Sequence, residues 1–542
     1  MVPVKLAIPE DIDDRKRRLH GGAALHTAMR ELVLDTPGKA GTIIQEMINS
    51  AKEFGEDKLI IEDPVDGAIS YRKLLIGVRV LGAKFSAKFA DRHIGVMLPN
   101  SNGAAIATLG LMSAGKIPSM INFTAGVANI KIACEVAGLR TVLTSKEFIK
   151  RAKLDDLIVD MSKFVEVLYL EGVRGEISRF DKIKGLLLRR RPVRPAKVGD
   201  HAIILYTSGS EGVPKGVILT HHNILANATQ SASRIEFNSS DKVFNVLPVF
   251  HAFGLTAGTL LPLLYGVPVF MFPKATDFKK VPEAIHSSNA TILFGTDAFL
   301  NGYARAADTD ELQSIRYIFA GAAKVEEGTR TLYLDKFGKH ILEGYGVTEG
   351  APVIALNTPM ANKVGSVGRL LPGIEARFEA EPGMGDRLFV RGANVMAGYL
   401  RVENPGVIEP PVDGWHDTGD IVKVDKDGFI TIIDRAKSFA KIGGEMVSTT
   451  AVTNVVTKLW PGHVSAAVNV PSPRKGEKIV LVTENEKATK SDLIPFFKEH
   501  GMSELSIPSE IIVAKIPVLA SGKVDIVALK KSIREGSLNE VR

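Results

Sequence analysis

The chain has 542 residues, 45% hydrophobic and 24% charged, a globular balance that excludes wholesale disorder. Its 68 Lys and Arg against 61 Asp and Glu leave a formal net charge of +7, an excess that calls for an anionic partner: nucleic acid, acidic lipid or an acidic protein. The single cysteine, Cys134, excludes an internal disulfide and any multi-cysteine metal site, and fits a reduced compartment.

In chain order, the opening MVPVKLAIPEDIDDRKRRLH holds no apolar run of signal-peptide length. Tyr71 to Phe89 carries Leu74, Leu75, Val78, Leu81, Phe85 and Phe89 at helical spacing. A short strand at Ile94 to Leu98, a helix at Gly103 to Gly115, a strand at Ile117 to Ile121, a helix at Ile130 to Val136 and a strand at Thr141 to Thr144 follow. Strands alternating with helices predict parallel sheets covered on both faces. Beyond Gly365, Gly-punctuated runs such as Arg387 to Arg391 and Phe429 to Ile433 predict an antiparallel β region. After Asp434 to Lys437 the pattern restarts, with helices near Thr450 to Lys458 and Lys490 to Glu499 and strands at Val464 to Val468 and Ile479 to Val482. The predicted class is therefore α/β: a large N-terminal domain over 1–433, a hinge at 434–437, and a smaller α+β C-terminal domain over 438–542.

The positive charge is concentrated. KIKGLLLRRRPVRPAK, Lys182 to Lys197, contains seven cations and no acid, which equals the whole net charge. No nucleic-acid-binding motif accompanies it. Val243 to Pro273 contains no charged residue and reaches the length of a membrane span. Pro248, Gly254, Gly258, Pro262, Gly266 and Pro268 divide it, however, into a buried helix at Ala252 to Tyr265 and a buried strand at Val267 to Phe272.

Five segments carry chemistry. An apolar strand, Ala202 to Leu205, leads into YTSGSEGVPKG, Tyr206 to Gly216. Backbone N–H groups freed by glycine form an anion-holding concavity, to which Thr207, Ser208 and Ser210 add hydroxyls and Lys215 a charge. The spacing is not that of a Walker A loop, and Glu211 places an acid beside the anion. In EGYGVTE, Glu343 to Glu349, Tyr345 offers a ring face for a purine, Thr348 a phosphate contact and Glu349 a hard oxygen for Mg²⁺. In WHDTGD, Trp415 to Asp420, a carboxylate directly before a strand suits the two hydroxyls of a ribose, and Asp420 is the better placed. DRAK, Asp434 to Lys437, with KIGG, Lys441 to Gly444, and SGK at Ser521 to Lys523 complete the set; each Lys taken singly reads as solvated surface.

These segments in this order resemble the adenylate-forming (AMP-binding) superfamily, across about Thr42 to Leu529. TSGSEG, LPVFHAFGLT, ILEGYGVTE and FAKIGGEMVS look most like bacterial acyl–acyl carrier protein synthetases. The resemblance implies ATP and Mg²⁺ as cofactors, with Thr207, Ser208, Gly209, Ser210 and Lys215 cradling phosphates. It implies an adenine slot of Gly321, Ala322, Ala323, Gly344, Tyr345 and Gly346. Thr348 and Glu349 would serve phosphate and metal, and Asp420 and Arg435 the ribose. Lys437 would be the hinge of a mobile lid, Lys523 the adenylation lysine, and His251 a neighbour of the acyl pocket or simply a buried structural residue. Two departures stand out: Ser210-Glu211 replaces a hydroxyl pair, and Ala451 and Thr453 occupy places where acids are usual.

The implied activity is that of a fatty acid–acyl carrier protein ligase, feeding phospholipid acylation or recycling, with a fatty acyl-CoA synthetase and a non-catalytic nucleotide-binding membrane scaffold as alternatives. Partners would be a fatty acid, acyl carrier protein or CoA, and an anionic membrane surface met by Lys182 to Lys197; the expected location is cytoplasmic, or peripheral at the cytoplasmic face of the inner membrane. None of the twelve His residues has Asp five positions on, so the His-x4-Asp of a phospholipid acyltransferase is missing.

Overall fold

The computed structural model describes residues 39–208, 213–381, 384–442, 445–472, 476–519 and 524–538. The opening segment, Gly209, Ser210, Glu211 and Lys523 lie outside the described residues, as do the side chains of Ser208 and Lys437. By contacts, residues 39–207, 214–375 and 391–416 form one unit, and 376–390 with 417–538 form another.

The first unit is α/β. Among the described residues, a nine-stranded sheet runs in spatial order Arg369–Leu370, Val353–Leu356, Ile341–Gly346, Tyr317–Ala320, Ile292–Gly295, Val243–Asn245, Val269–Met271, Leu59–Asp63 and Gly67–Ser70. Its middle is parallel, with antiparallel pairs at the two ends. An eight-stranded sheet runs Asn404–Glu409, Gly398–Arg401, Pro214–Thr220, His201–Ser208, Ile117–Met120, His93–Val96, Thr141–Thr144 and Glu166–Tyr169. Helices cover these sheets as amphipathic elements. Tyr71–Lys88, for instance, is capped by the Ser70 hydroxyl accepting from the Lys73 N–H, and buries Leu74, Leu75, Val78, Leu81 and Phe85.

The charge-free segment is core, and among the described residues no helix is long and apolar enough to cross a membrane. Val243–Asn245 and Val269–Met271 pair in parallel in the middle of the sheet, buried on both faces. Between them Phe253–Leu260 is a π-helix, followed by the short helix Leu261–Leu264. Asn245 explains the wide turn. Its amide donates to the Gly254 carbonyl and to Thr259 Oγ1, both at 2.9 Å. A Cβ at Gly258 would come 2.5 Å from Asn245 Oδ1, so the helix must be glycine there to admit that side chain. Long π-helical segments are rare and concentrate at functional sites.

The second unit holds a four-stranded sheet, Glu375–Glu381, Gly385–Arg391, His416–Val424 and Ile430–Arg435, and a sheet of Glu445–Ser448, Phe439–Ile442, Gly476–Thr483 and Ser465–Ser472, with Glu510–Val513 pairing in parallel to Gly476–Thr483. Helices Thr449–Leu459 and Lys490–Glu499 pack on it through Val452, Val456, Leu493 and Phe497. The antiparallel and α+β character expected of these regions is present.

Candidate active site

Parallel sheets bind ligands at the carboxyl ends of their strands. In the first unit a largely apolar cavity lies there. Gly321 and Ala322, just past Tyr317–Ala320, line its mouth together with Gly344, Tyr345 and Gly346 at the end of Ile341–Gly346. Ala322 stands at φ +68°, a conformation that costs a non-glycine residue energy and clusters at functional sites. A Cβ at Gly346 would fall 2.4 Å from the Pro352 carbonyl oxygen, so the Gly-Tyr-Gly run can bend back only as glycine. The deeper wall comprises Phe253, Ala257 and Leu261 from the π-helix and its extension, facing Phe294, Phe319 and Leu356. The spacing of four between the first three matches the wide π turn, which lays them along one side. Ala323 is exposed and is not among the lining residues, and His251 is also absent from the wall; its ring packs on Phe250, with centroids 4.7 Å apart.

Glu349 sits on the turn Thr348–Gly350 directly after the Gly-Tyr-Gly run and is 8% exposed. Its Oε1 accepts from the Tyr399 hydroxyl at 2.5 Å, and its carbonyl accepts from the Met396 N–H at 2.8 Å. Tyr399 lies on Gly398–Arg401, antiparallel to Pro214–Thr220, with Tyr399 opposite Val217 and Leu400 opposite Gly216. That register brings Lys215 Nζ to 5.5 Å from the centre of the Tyr399 ring, and Arg401, two residues along the same strand, sets its Cζ 4.8 Å from it. Lys215 and Glu349, which sequence separates by more than a hundred residues, thus share one tyrosine. Thr207 lies near the end of His201–Ser208, the strand that leads into the glycine-rich loop.

In the second unit, Asp420 faces Arg435 across antiparallel strands. Asp420 Oδ1 is 2.6 Å from Arg435 Nε; the carboxylate is 3% exposed and the guanidinium 61%. Asp417, the other acid of the WHDTGD segment, pairs with Arg387 at the surface. Asp434 is buried and accepts from the Ser448 and Thr450 hydroxyls, which fixes the start of Thr449–Leu459. Thr453, where an acid was the usual residue, accepts the Ala467 N–H at 2.8 Å. Lys437 lies in the turn Ala436–Ser438.

The basic stretch is not the uniformly solvent-facing run that its sequence suggests. Arg189 and Arg190 reach Glu56 at 2.9 and 2.5 Å, joined by Arg72 at 3.2 Å. Burial opposes ionisation of Glu56, but the hydrogen bonds from Arg190 and Arg189 outweigh it and hold its carboxyl below the ordinary range. Arg194 Nε donates to Ser86.

Sequence reasoning missed Tyr399, Arg401 and the π-helix wall. A Gly-Tyr pair in a short strand is the only local signal for Tyr399, and it has no partner in sequence.

Mg²⁺ keeps waters and phosphate oxygens, and needs only one or two protein carboxylates. Glu349 is not itself among the lining residues, but it is buried three residues after Gly346, which is, and its carboxylate is oriented by Tyr399, so it fits that donor role; among the described residues no group of three or more His, Cys, Asp or Glu forms an all-protein metal site.

Residues 49–400 match the model of the AMP-binding enzyme family. The chain is 25% identical over 552 residues to the long-chain-fatty-acid–CoA ligase of Salmonella typhimurium, covering 93% of this chain and 96% of that one. It is 32% identical over 351 residues to a feruloyl-CoA synthase of an Amycolatopsis species, covering 61% and 70%. Its fold matches o-succinylbenzoate CoA synthetase from Bacillus subtilis in complex with ATP and magnesium ion, at TM-score 0.76 and 21% identity over 90% of this chain and 99% of that one. ATP-bound MatB from Rhodopseudomonas palustris gives TM-score 0.75 at 23% identity, over 91% and 99%. With a motif order, a strand-end cavity and a family model that agree, this chain belongs to the AMP-binding enzyme family.

Proposed function

We propose that the chain is an ATP-dependent fatty acid–thiol ligase that forms an acyl-adenylate and passes the acyl group to coenzyme A. The observation that carries this reading is the apolar cavity whose mouth is the Gly321-Ala322 and Gly344-Tyr345-Gly346 backbone, with Glu349 following directly. An alkyl chain suits the wall of Phe253, Ala257 and Leu261, and a nucleotide base suits the Tyr345 ring at the mouth.

In the first half-reaction a carboxylate oxygen attacks the α-phosphorus of ATP and pyrophosphate leaves. In the second, the thiol sulfur attacks the acyl carbonyl, AMP leaves, and the thiol proton passes to solvent. Bound Mg²⁺ would offset charge on the phosphate oxygens, held by Glu349. Thr207, Ser208, Gly209, Ser210, Thr348 and Lys215 would bind the phosphates, and Asp420 with Arg435 the ribose. Lys523 would stabilise the charge that develops as pyrophosphate departs. A lid over 438–542, turning about 434–437, would withdraw Lys523 before the thiol enters. Cys134 is not the thiol: it is buried, and burial, with Glu135 adding to it, pushes its pKa up to about 12.

The names of the relatives support coenzyme A as acceptor. Motif likeness to acyl–acyl carrier protein synthetases supports the carrier protein as the second reading. Purified protein with ATP, a chain-length series of fatty acids and each acceptor separates them. Acid-dependent pyrophosphate exchange and an acyl-CoA product are expected. Product only on the carrier protein would transfer the assignment to it, and ATP binding without exchange would leave a non-catalytic nucleotide binder. Lys523→Ala should abolish exchange while ATP still binds, and normal exchange in that variant would remove its proposed role.

A further inference from the structure

The helix Arg179–Leu188 wears its apolar side outward. Phe180 is 71% exposed, Ile183 57%, Leu186 41% and Leu187 73%. The one buried residue of the helix is Gly185, which lies against helix Tyr71–Lys88; a Cβ there would fall 2.3 Å from Val80 Cγ2. At about 3.6 residues per turn, Phe180, Ile183 and Leu187 point away from Gly185, with Lys184 on one flank of the stripe, Leu186 on the other, and the exposed Lys182 beyond Leu186 toward the base of the helix. The only acid of the helix, Asp181, is turned inward, bonded to Lys84 at 2.8 Å. This ion pair ties the helix to Tyr71–Lys88, and a capping box between Ser178 and Asp181 fixes where it starts. Its outer face therefore offers large apolar side chains and cations and no carboxylate.

We propose that this face is a docking surface for an anionic lipid bilayer, with Phe180, Ile183 and Leu187 entering the headgroup–acyl boundary and Lys182, Lys184 and the exposed Arg191 meeting lipid phosphates. An apolar stripe edged by lysine is the arrangement that lies in a membrane interface, and the cations draw it to acidic lipid. A bilayer satisfies the apolar stripe and the exposed lysines beside it at once. A second copy placing the same patch against itself would set lysine against lysine. An acidic protein would need an apolar groove edged by acid. Arg189 and Arg190 contribute little, because Glu56 already holds them. The assignment stands on this helix and does not require the ligase reading.

The test is sedimentation of the full chain with vesicles of phosphatidylcholine alone and of phosphatidylcholine mixed with phosphatidylglycerol. Binding to the mixed vesicles, weakened by salt, is expected. Phe180→Ser/Ile183→Ser/Leu187→Ser should bind about ten-fold or more weakly, since partitioning scales with inserted apolar area. Lys182→Glu/Lys184→Glu, which leaves the stripe and its packing intact, should lose the preference for acidic lipid. An unchanged urea midpoint reports that each variant is folded. Wild-type protein that ignores both vesicles overturns the proposal, as does serine-variant binding equal to wild type. A dimer that the serine variant converts to monomer assigns the face to a second copy, and carrier-protein binding lost in the glutamate variant without vesicle binding assigns it to an acidic protein; either result overturns the bilayer.

Discussion

The Tyr399 hydroxyl donates to Glu349 Oε1 at 2.5 Å, while the face of the same ring lies 5.5 Å from Lys215 Nζ. One side chain therefore orients a carboxylate and borders an ammonium, two groups proposed to act on the same nucleotide. Hydrogen bonds to a charged group contribute about 1.5–3 kcal/mol. Tyr399→Phe removes the hydroxyl and keeps the ring, so Glu349 loses its fixed rotamer while Lys215 keeps its neighbour. The Mg²⁺ concentration for half-maximal pyrophosphate exchange should rise about ten-fold or more, with a smaller change in the KM for the fatty acid. Tyr399→Leu should in addition raise the KM for ATP. An unchanged Mg²⁺ dependence in Tyr399→Phe would show that the hydroxyl does not tune Glu349.

Chain-length preference should reside in the π-helix wall. Ala257 faces the cavity between Phe253 and Leu261. Ala257→Phe would fill the space of several methylenes, each contributing about 0.8 kcal/mol when buried. The expected outcome is a loss of kcat/KM on long acids by about a hundred-fold, with short acids retained. Acid-dependent pyrophosphate exchange across a chain-length series reads it directly. Equal loss at every length would mean that the acyl chain lies elsewhere.

Asp420 and Arg435 form a pair in which the acid is buried and the base is mostly exposed. Truncating the base leaves a buried carboxylate poorly compensated, which costs about 1–3 kcal/mol. Arg435→Ala should thus lower the urea midpoint and raise the KM for ATP, because the carboxylate is no longer held for the ribose. Asp420→Asn, which removes the charge and keeps the shape, should raise the KM for ATP with less effect on the midpoint. A normal KM in both variants would detach this pair from the nucleotide.

Local rules made much of this molecule readable before its structure. Helix Tyr71–Lys88 follows from the periodicity of its own residues and strand Thr141–Thr144 from a short β-branched and apolar run, and Gly344-Tyr345-Gly346 announces its turn by composition. What remained hidden depends on residues far apart in the chain. Leu59–Asp63 pairs with Val269–Met271 about two hundred positions later, and no local pattern encodes that choice. The segment Ala252 to Tyr265 reads as an ordinary buried helix; it becomes π-helical where the Asn245 amide occupies the space over Gly258. Arg189 and Arg190 read as solvent-facing charge because their acid, Glu56, is more than a hundred and thirty residues away. Tyr399 escaped notice for the same reason: its meaning lies in Glu349 and Lys215, which only the sheet brings beside it.

Stability should depend on acid through His221, the first residue of helix His221–Ala232. It is 3% exposed, and its Nδ1 accepts from the Ile43 N–H at 3.4 Å. Burial depresses its pKa to about 4, against an opposing pull from Asp200. An unfolded histidine titrates near about 6.5. Between these values the unfolded chain binds the proton and the folded chain does not, so unfolding becomes easier as pH falls from about 6.5 toward 4. The whole interval amounts to about 3 kcal/mol for this one group. His201 is also depressed by burial and acts in the same direction, so the wild-type curve alone does not isolate His221. His221→Asn keeps an acceptor at the Nδ1 position for the Ile43 N–H and cannot titrate. The variant should be less stable than wild type at neutral pH, and the gap should close by about 3 kcal/mol as urea unfolding is repeated toward about pH 4. Parallel curves for the two proteins across that interval would show that His221 does not carry the acid sensitivity of the fold.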